Sequence, residues 1–319
     1  MSLTCPEPGQ RARRTLIVAH RGASGYLPEH TAAAKVLGYG LGADLLEQDV
    51  VATRDGELVV LHDIWLDDVS DVASRFPGRQ RADGRFYVID FTRAELGEIC
   101  LEERRRPGGQ EPLYPGRFAS SSPLFRITSL EDEIRLIAGL NRSTGRQVGI
   151  YPEIKEPDWH QQGGIDLTRL VHGALTKSRE LLAGPVFLQS FDSQTLRRLR
   201  EEFATPWPLV QLLNRGRAES LARNAKSLHE LAALASAVGL PYTTLMSIDG
   251  GRIRASPLAR KLIDMGLALH PYTLRRDVPP PSGISYRDAL GFLIKELAVE
   301  ALFCDFPDDA VAIRDGSAA

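Results

Sequence analysis

The chain has 319 residues, of which 43% are hydrophobic and 25% charged. These values are those of an ordinary folded protein and exclude the disordered, collagen-like and coiled-coil classes. The formal net charge is -2, so no basic excess indicates nucleic acid or an anionic membrane as a partner. The three cysteines, Cys5, Cys100 and Cys304, lie far apart without metal-ligand spacing, which argues against a disulfide framework and a structural zinc site.

The N-terminal segment shows no targeting element. Residues 1–10 lack the apolar core of a signal peptide, and no apolar run in the chain approaches the ~20 residues that cross a bilayer. We expect residues 1–14 to form a solvated tail and residues 15–319 to form the folded domain. Because Met1-Ser2-Leu3 is typical of a cloning remnant, we expect a periplasmic or secreted location if a leader was removed, and a cytoplasmic location otherwise.

Short apolar runs alternate with helical patterns along the chain. The runs are too apolar for strands with one exposed face, which indicates strands covered on both faces. The predicted strands are Thr15–Ala19, Leu45–Ala52, Val148–Ile154, Val186–Ser190, Leu209–Leu213, Thr243–Ile248, Leu267–His270 and Ala301–Asp305. The helical patterns include Ala32–Leu41, Ile165–Ala183 and Lys226–Val238. This alternation predicts an α/β fold, a TIM (β/α)8 barrel, with a doubly wound open sheet as the alternative.

Two segments interrupt the regular spacing. Asp55-Gly56 between two apolar runs predicts a β-hairpin, and a hairpin symmetric about this dipeptide would pair His62 with Asp49. The stretch of about residues 64–147 is rich in Arg, Gly and Pro and predicts a subdomain inserted after the second strand. Within it, Arg104–Arg106 offers charges for an anionic substrate, although a solvated loop is the favoured interpretation.

Pairs of polar residues close several predicted strands. Residues i and i+2 of a strand share a face, and the C-terminal ends of barrel strands form the catalytic mouth. The pairs are Glu47 and Asp49, Glu153 and Lys155, and His270 and Tyr272. His20 and Arg21 close the first strand, and Asp305 closes the last. Burial accidents do not explain so many polar strand ends, which predicts one functional site.

Three of these side chains predict a metal site. Glu47, Asp49 and Glu153 cannot all stay ionised at one mouth without a cation. Their hard oxygen atoms suit Ca²⁺ or Mg²⁺ better than zinc. Together they would fill only part of a coordination shell of ~6–8 oxygens, which leaves room for water and substrate.

The neighbouring cations and imidazoles indicate phosphodiester cleavage. Arg21 and Lys155 carry positive charges suited to a phosphate. His20 and His62 can exchange protons near neutral pH. A structural role is the favoured interpretation for one isolated histidine, but for both beside the carboxylates we expect catalysis.

Five short blocks carry a family resemblance. They are His20-Arg21-Gly22-Ala23, Leu27-Pro28-Glu29-His30-Thr31, Leu46-Glu47-Gln48-Asp49, Leu61-His62-Asp63 and Tyr151-Pro152-Glu153-Ile154-Lys155. In this order they resemble the signature of the glycerophosphodiester phosphodiesterases. Further blocks, such as Tyr114-Pro115-Gly116-Arg117-Phe118 and His270-Pro271-Tyr272-Thr273, make the chain most similar to the long, periplasmic-type bacterial branch.

The resemblance implies a TIM barrel that hydrolyses glycerophosphodiesters, such as glycerophosphocholine or glycerophosphoethanolamine, to an alcohol and sn-glycerol 3-phosphate. It implies an acid/base pair (His20 and His62), phosphate contacts (Arg21 and Lys155) and ligands of a divalent cation, Ca²⁺ before Mg²⁺ (Glu47, Asp49 and Glu153). We also expect His270 and Tyr272 to contact substrate. One departure is His30, where many relatives have Asn and the long branch commonly has His.

Two other functions remain open at this point. A phospholipase-like activity on phosphoinositides, lysophospholipids or sphingomyelin would need an apolar lip for acyl chains, which the sequence does not supply. A non-catalytic phosphate-ester binding protein would lack one of the expected groups, and all of them are present. Glu29 is assigned a supporting role, while Gln189, Phe191, Trp65 and Trp159 belong either to the pocket wall or to the core.

Overall fold

The computed structural model describes residues 14–118, 122–280 and 283–316. The predicted tail and Cys5 therefore lie almost entirely outside the described residues. In chain order the strands are β1 (Leu16–Ala19), β2 (Leu45–Ala52), β3 (Leu58–Val60), β4 (Gly149–Ile154), β5 (Leu188–Ser190), β6 (Leu209–Leu212), β7 (Ala237–Pro241), β8 (Met246–Asp249), β9 (Arg252–Ala255), β10 (Ala268–Tyr272) and β11 (Ala301–Cys304).

Eight of these strands form a parallel barrel. Their order is β11-β1-β2-β4-β5-β6-β7-β10, and a parallel bridge between Leu274 and Cys304 joins the two ends of the sheet. β3 pairs antiparallel with the end of β2, and β8 and β9 form a separate hairpin. The predicted α/β TIM barrel is thus confirmed.

Helices cover the outside of the barrel and also occur in the inserted segment. They are α1 (Ala32–Gly40), α2 (Val72–Arg75), α3 (Arg93–Leu96), α4 (Leu130–Thr144), α5 (Pro157–Gln162), α6 (Leu167–Lys177), α7 (Ser193–Glu201), α8 (Arg215–Ala222), α9 (Ala225–Leu234), α10 (Pro257–Asp264), α11 (Tyr286–Gly291) and α12 (Pro307–Asp315). A short π-helical turn, Phe292–Glu296, follows α11. No described helix has the length and apolarity needed to span a membrane.

Burial on both faces explains the apolar strands. Every residue of β2 and β4 is buried, because one face meets the helices and the other fills the barrel. Inside the barrel, Tyr151 stacks on Phe187 at 5.1 Å between ring centroids and meets Phe303 edge-on at 4.8 Å. These rings form a solid floor beneath the C-terminal strand ends.

The sixth barrel strand is not where the sequence predicts it. The strand is β7, Ala237–Pro241, whereas the predicted run Thr243–Ile248 forms a 3-10 turn and the start of the β8–β9 hairpin. The helical pattern Lys226–Val238 accordingly ends too late, because α9 stops at Leu234. A short buried apolar run fits a helix or a strand equally well, and periodicity does not separate the two.

The hairpin register differs from the predicted register by one residue. Val50 pairs with Val60 and Val51 with Val59, so the pairing of Asp49 with His62 is wrong. β3 ends at Val60, and His62 lies beyond the paired residues in a loop. Release from the ladder frees the ring from strict alternation of faces, and His62 still borders the same cavity as Asp49.

The inserted segment has a core of its own. Leu66, Phe91, Leu96 and Leu101 are buried together with side chains of the β2–β3 hairpin, so the insertion packs on the barrel mouth. Helix α4 instead packs with the barrel core. The residues of this separate core therefore precede α4 in the chain.

Candidate active site

Three carboxylates meet at the C-terminal ends of β2 and β4. Glu47 and Asp49 are two residues apart in β2 and so share its inward face. Asp49 lies beside Glu153 in the parallel register. One carboxylate oxygen from each of the three lies within 4.8 Å of the others, and all three residues are buried. The structure thus brings together the predicted metal ligands.

The electrostatics of this cluster suit a hard divalent cation. Burial, and then the charge of Asp49, raise the pKa of Glu47 well above its ordinary value. Burial also raises the pKa of Glu153 to about 8. Burial opposes ionisation of Asp49 as well, but Lys155 and His30 hold its pKa well below the usual range. Asp49 Oδ1 is buried and has no hydrogen-bond partner among the described residues, so this donor set fits Ca²⁺ or Mg²⁺.

His20 is anchored by a carboxylate from the end of the last strand. Its Nδ1–H donates to Asp305 Oδ1 at 2.6 Å, and its Nε2 lies 3.8 Å from Glu47 Oε2. Asp305 Oδ2 accepts from Arg117 Nη2 at 2.7 Å and lies 2.9 Å from Arg275 Nε. Burial opposes its ionisation, but Arg275 and His20 hold the pKa of Asp305 well below its usual range.

An ionised Asp305 fixes the state of the His20 ring. A carboxylate accepts hydrogen bonds only, so the shared proton sits on His20 Nδ1 and leaves Nε2 free to accept. Burial, only partly offset by Asp305, lowers the pKa of His20 to about 4. His20 is therefore a neutral imidazole with a basic nitrogen toward the carboxylate cluster.

His62 has a carboxylate partner next to it in sequence. Its Nδ1–H donates to Asp63 Oδ1 at 2.7 Å. Arg104 binds the other oxygen of Asp63 at 2.7 Å and also makes two hydrogen bonds to Glu29. Burial, followed by Arg21, lowers the pKa of His62 to about 3. Arg104 is thus part of the site, and its assignment to a solvated loop is wrong.

Arg21 and Lys155 are the cations beside the cluster. Arg21 Nη1 donates to Glu29 at 2.9 Å, and its backbone N–H donates to Glu47 at 2.8 Å. Lys155 pairs with Glu153 at 2.9 Å. The backbone at Arg21 is left-handed, with φ of 56°. The following Gly22 has φ of 86°, and a Cβ there would lie 2.7 Å from the Ala34 backbone, so only glycine fits this turn.

A small cavity joins most of these groups. It has a volume of about 190 Å³ and is bordered by His20, Arg21, His62 and the three carboxylates. Phe191, Leu212, Phe303 and Tyr272 also border it, whereas Lys155 is not among its lining residues. The lining is therefore partly charged and partly apolar, which suits a small phosphate ester with a carbon backbone.

His270 lies apart from this group. It is fully buried, its Nδ1 bonds the Tyr151 hydroxyl, and its Nε2 bonds Glu300 at 2.7 Å. Both ring nitrogens thus have protein partners in the barrel interior, and the structure does not bring His270 to the cavity. Tyr272, two residues later, does border it.

Sequence reasoning left several supporting residues without a role. Asp63 lies beside His62 in the sequence, and the pattern of a histidine followed by a carboxylate was a usable signal. Arg117 and Arg275 contact Asp305 from other parts of the chain, so no local sequence pattern identifies them. Lys35 lies within the first helix, where a lysine normally indicates a solvated face.

The chain is similar to known proteins over nearly its whole length. The sequence profile of the glycerophosphoryl diester phosphodiesterase family matches residues 20–309. A glycerophosphodiester phosphodiesterase of Haemophilus influenzae is 37% identical, covering 94% of this chain and 90% of its own. One of Treponema pallidum is 34% identical, covering 93% of this chain and 91% of its own.

Solved structures share the fold. A structure from Silicibacter pomeroyi has a TM-score of 0.73 at 18% identity, covering 96% of this chain and 95% of its own. A phosphodiesterase from Oleispira antarctica, in complex with the product sn-glycerol-3-phosphate, has a TM-score of 0.62 at 17% identity, covering 95% and 97%. The profile match and the two bacterial relatives establish that the chain belongs to the glycerophosphoryl diester phosphodiesterase family.

Proposed function

We propose that this enzyme hydrolyses glycerophosphodiesters such as glycerophosphocholine and glycerophosphoethanolamine to an alcohol and sn-glycerol 3-phosphate, with a divalent cation and two histidines. Family membership gives the enzyme class, a phosphodiesterase acting on glycerophosphodiesters. The proposal adds the ion, the residues and the substrates. The product bound to the Oleispira antarctica relative supports sn-glycerol 3-phosphate as the common product.

The observation that carries the proposal is the pair of anchored imidazoles at one cavity. Asp305 holds His20 through Nδ1, and Asp63 holds His62 through Nδ1. In each ring Nε2 is the nitrogen that can exchange a proton with the substrate or with water. Two histidines fixed in this way on a carboxylate-lined cavity suit one proton removal and one proton donation.

The phosphate is proposed to bind between Arg21 and Lys155. Both side chains are close to the carboxylate cluster, and Arg21 Nε is buried without a hydrogen-bond partner among the described residues. A guanidinium donates to phosphate oxygens in a fixed plane, while an ammonium acts as a point charge. A negative phosphate at this position would also offset the two positive charges that depress the pKa of His62.

Glu47, Asp49 and Glu153 are the residues that would hold the ion. When bound, a divalent cation supplies charge neutralisation for the phosphoryl group and orients its oxygens. Ca²⁺ is the preferred assignment, since three carboxylates leave several positions for water and substrate oxygens. Mg²⁺ is the second.

The exposure of the two histidines supports a division of roles between them. The His20 side chain is 9% exposed, and the His62 side chain is 30% exposed. The leaving alcohol carries the variable head group and departs toward solvent, so His62 is the proposed acid, and it donates from Nε2 after taking up a proton there when the negative phosphate is bound. His20, deeper in the cavity, is the base that deprotonates the attacking oxygen, either water or the 2-hydroxyl of the substrate's own glycerol.

The experiment is a substrate panel assayed by release of sn-glycerol 3-phosphate. Glycerophosphocholine and glycerophosphoethanolamine should be hydrolysed, whereas lysophosphatidylcholine should be turned over much more slowly, since the cavity of about 190 Å³ has no room for an acyl chain. EDTA should abolish turnover, and Ca²⁺ or Mg²⁺ should restore it. Undiminished turnover after exhaustive chelation would contradict the role of the ion, and equal turnover of the lysolipid would contradict the substrate class.

A further inference from the structure

A lysine of helix α1 is completely buried behind the metal cluster. Lys35 has no exposed surface. Its Nζ lies 3.3 Å from Glu133 Oε2 on α4 and 3.3 Å from His30 Nδ1, and it donates to the backbone carbonyl of Glu47. Lys35 therefore connects the helical layer to the back of the catalytic strand β2.

Two contacts of the His30 ring, one with Lys35 and one with the acceptor Asp49, agree on which nitrogen carries hydrogen. An ammonium group has three donors and no acceptor, so Lys35 donates and His30 Nδ1 accepts. The hydrogen of the neutral ring must then sit on Nε2. Nε2 lies 2.8 Å from Asp49 Oδ2, which places an N–H donor on one oxygen of this carboxylate.

This donor leaves the other oxygen of Asp49 available. Asp49 Oδ2 accepts from His30, while Oδ1 is buried and has no hydrogen-bond partner among the described residues. A bound ion would take the place of the hydrogen-bond partner that Oδ1 lacks. A His30 ring with hydrogen on Nδ1 would instead direct a lone pair at a carboxylate and repel it.

Stability alone does not account for a charged pair at this position. Glu133 is as deeply buried as Lys35. A buried ion pair is weak evidence for stability, because well-packed apolar residues of similar volume commonly do as well or better. What an apolar pair would not supply is the hydrogen bond to His30 Nδ1.

We propose that Lys35, held in place by Glu133, is a positioning residue that fixes His30 as the Nε2–H tautomer and so orients Asp49 with Oδ1 toward the metal site. The tautomer follows from contacts within the protein alone. Only the last step, the effect on the ion, rests on the proposed function.

The test uses the full chain with two double variants. Lys35→Met with Glu133→Gln removes both charges and the donor at similar volume. Lys35→Gln with Glu133→Gln also removes both charges but keeps an N–H donor. The first readout is the ¹⁵N spectrum of the imidazole nitrogens in ion-free protein, with the signals of His30 assigned by their absence in His30→Asn. The second readout is Ca²⁺ affinity by calorimetry.

We expect the Nε2–H tautomer in the parent protein, a partial loss of it in the methionine variant, where only Asp49 still favours hydrogen on Nε2, and recovery in the glutamine variant. Ca²⁺ affinity should fall by about 10–100-fold in the methionine variant, the range found for outer-shell partners of metal ligands. Arg314→Met with Asp44→Asn is the control, because it removes a partly buried ion pair at the opposite end of the barrel. This control should leave both readouts unchanged.

Each outcome separates the two claims. An unchanged tautomer in the methionine variant, or equal changes in both double variants, would overturn the inference. A changed tautomer with unchanged Ca²⁺ affinity would overturn the orientation of Asp49. If the parent protein binds neither Ca²⁺ nor Mg²⁺ but shows the expected tautomers, the proposed metal dependence fails while the role of Lys35 for His30 is supported.

Discussion

Arg117 of the inserted segment and Asp305 at the end of the last barrel strand form a buried ion pair with 2.7 Å between Nη2 and Oδ2. Asp305 is also the carboxylate that accepts from His20. Arg117 further binds both carboxylate oxygens of Asp277 and the backbone carbonyl of Ser24. The insertion thus contributes to the position of His20, although the residues proposed as base and as metal ligands lie outside it.

The first prediction follows from this link. Arg117→Met should lower kcat by about 10²-fold, because a misplacement of a catalytic group by about 1 Å has an effect of this size. The free energy of unfolding should also fall, since Asp305 loses one of its buried partners. Arg79→Met is the control, as Arg79 pairs with Glu95 within the same insertion at 2.7 Å and away from the cavity. Equal losses of kcat in both variants would contradict the link to His20.

The second prediction concerns the two imidazoles. His20→Ala and His62→Ala should each lower kcat by about 10²–10⁴-fold, the usual contribution of one general acid or base. His229→Ala is the matched control, because His229 lies exposed on α9 and bonds only the carbonyl of Ala225 among the described residues. Steady-state assays on glycerophosphocholine measure all three variants. Full activity in both cavity variants would rule out the two-histidine mechanism.

The residues that line the site could be predicted from the sequence, whereas the contacts that hold them in place could not. Glu47, Asp49 and Glu153 could be identified because alternation along a strand and the common edge of parallel strands are local rules. The hairpin register was wrong by one residue because the turn is centred on Asp55 and not between Asp55 and Gly56. No local rule predicts that Arg117 of the insertion contacts Asp305.

Burial of Lys35 illustrates the same limit. Lysine is almost never fully buried unless it is paired, and its partner Glu133 comes from another helix nearly a hundred residues later in the chain. Helix α1 follows its predicted bounds closely, so the secondary structure was predictable while the environment of one of its side chains was not. Tertiary packing, rather than sequence pattern, decides which polar residues of a helix meet water.

The third prediction is a dependence of stability on pH in the ion-free protein. Burial raises the pKa of the Glu153 carboxyl from 4.5 to about 8, so at pH 7 the folded protein retains a proton that the unfolded chain has released. The free energy of unfolding should therefore fall as pH rises from 7 toward about 8. The buried histidines have lowered pKa values, so raising the pH toward their ordinary pKa of about 6.5 stabilises the folded protein. Above about 6.5 this contribution no longer grows.

Denaturant unfolding in EDTA and in Ca²⁺ measures this dependence. Glu103, whose pKa burial also raises to about 8, contributes with the same sign, so Glu153→Gln identifies the share of Glu153. Ca²⁺ should remove that share, because a bound cation requires ionised carboxylates. A slope in EDTA that is the same in Glu153→Gln would show that Glu153 titrates normally.

The fourth prediction concerns the turn that carries Arg21. Gly22→Ala should destabilise the protein by more than about 2 kcal/mol, because a Cβ in the left-handed region is strained and would overlap the packed helix α1. The close approach is to Ala34, 2.7 Å from the added Cβ. Activity should fall as well, since Arg21 and its hydrogen bond to Glu47 depend on this turn.

Gly173→Ala is the matched substitution for this test. Gly173 lies in α6 with nothing within 4 Å of an added Cβ, and alanine should stabilise the helix by about 0.5–1 kcal/mol. Denaturant unfolding and turnover of glycerophosphocholine would be measured on both variants. If Gly22→Ala shows the gain in stability expected of Gly173→Ala, the turn tolerates a side chain, and the close approach of Gly22 to α1 does not determine the position of Arg21.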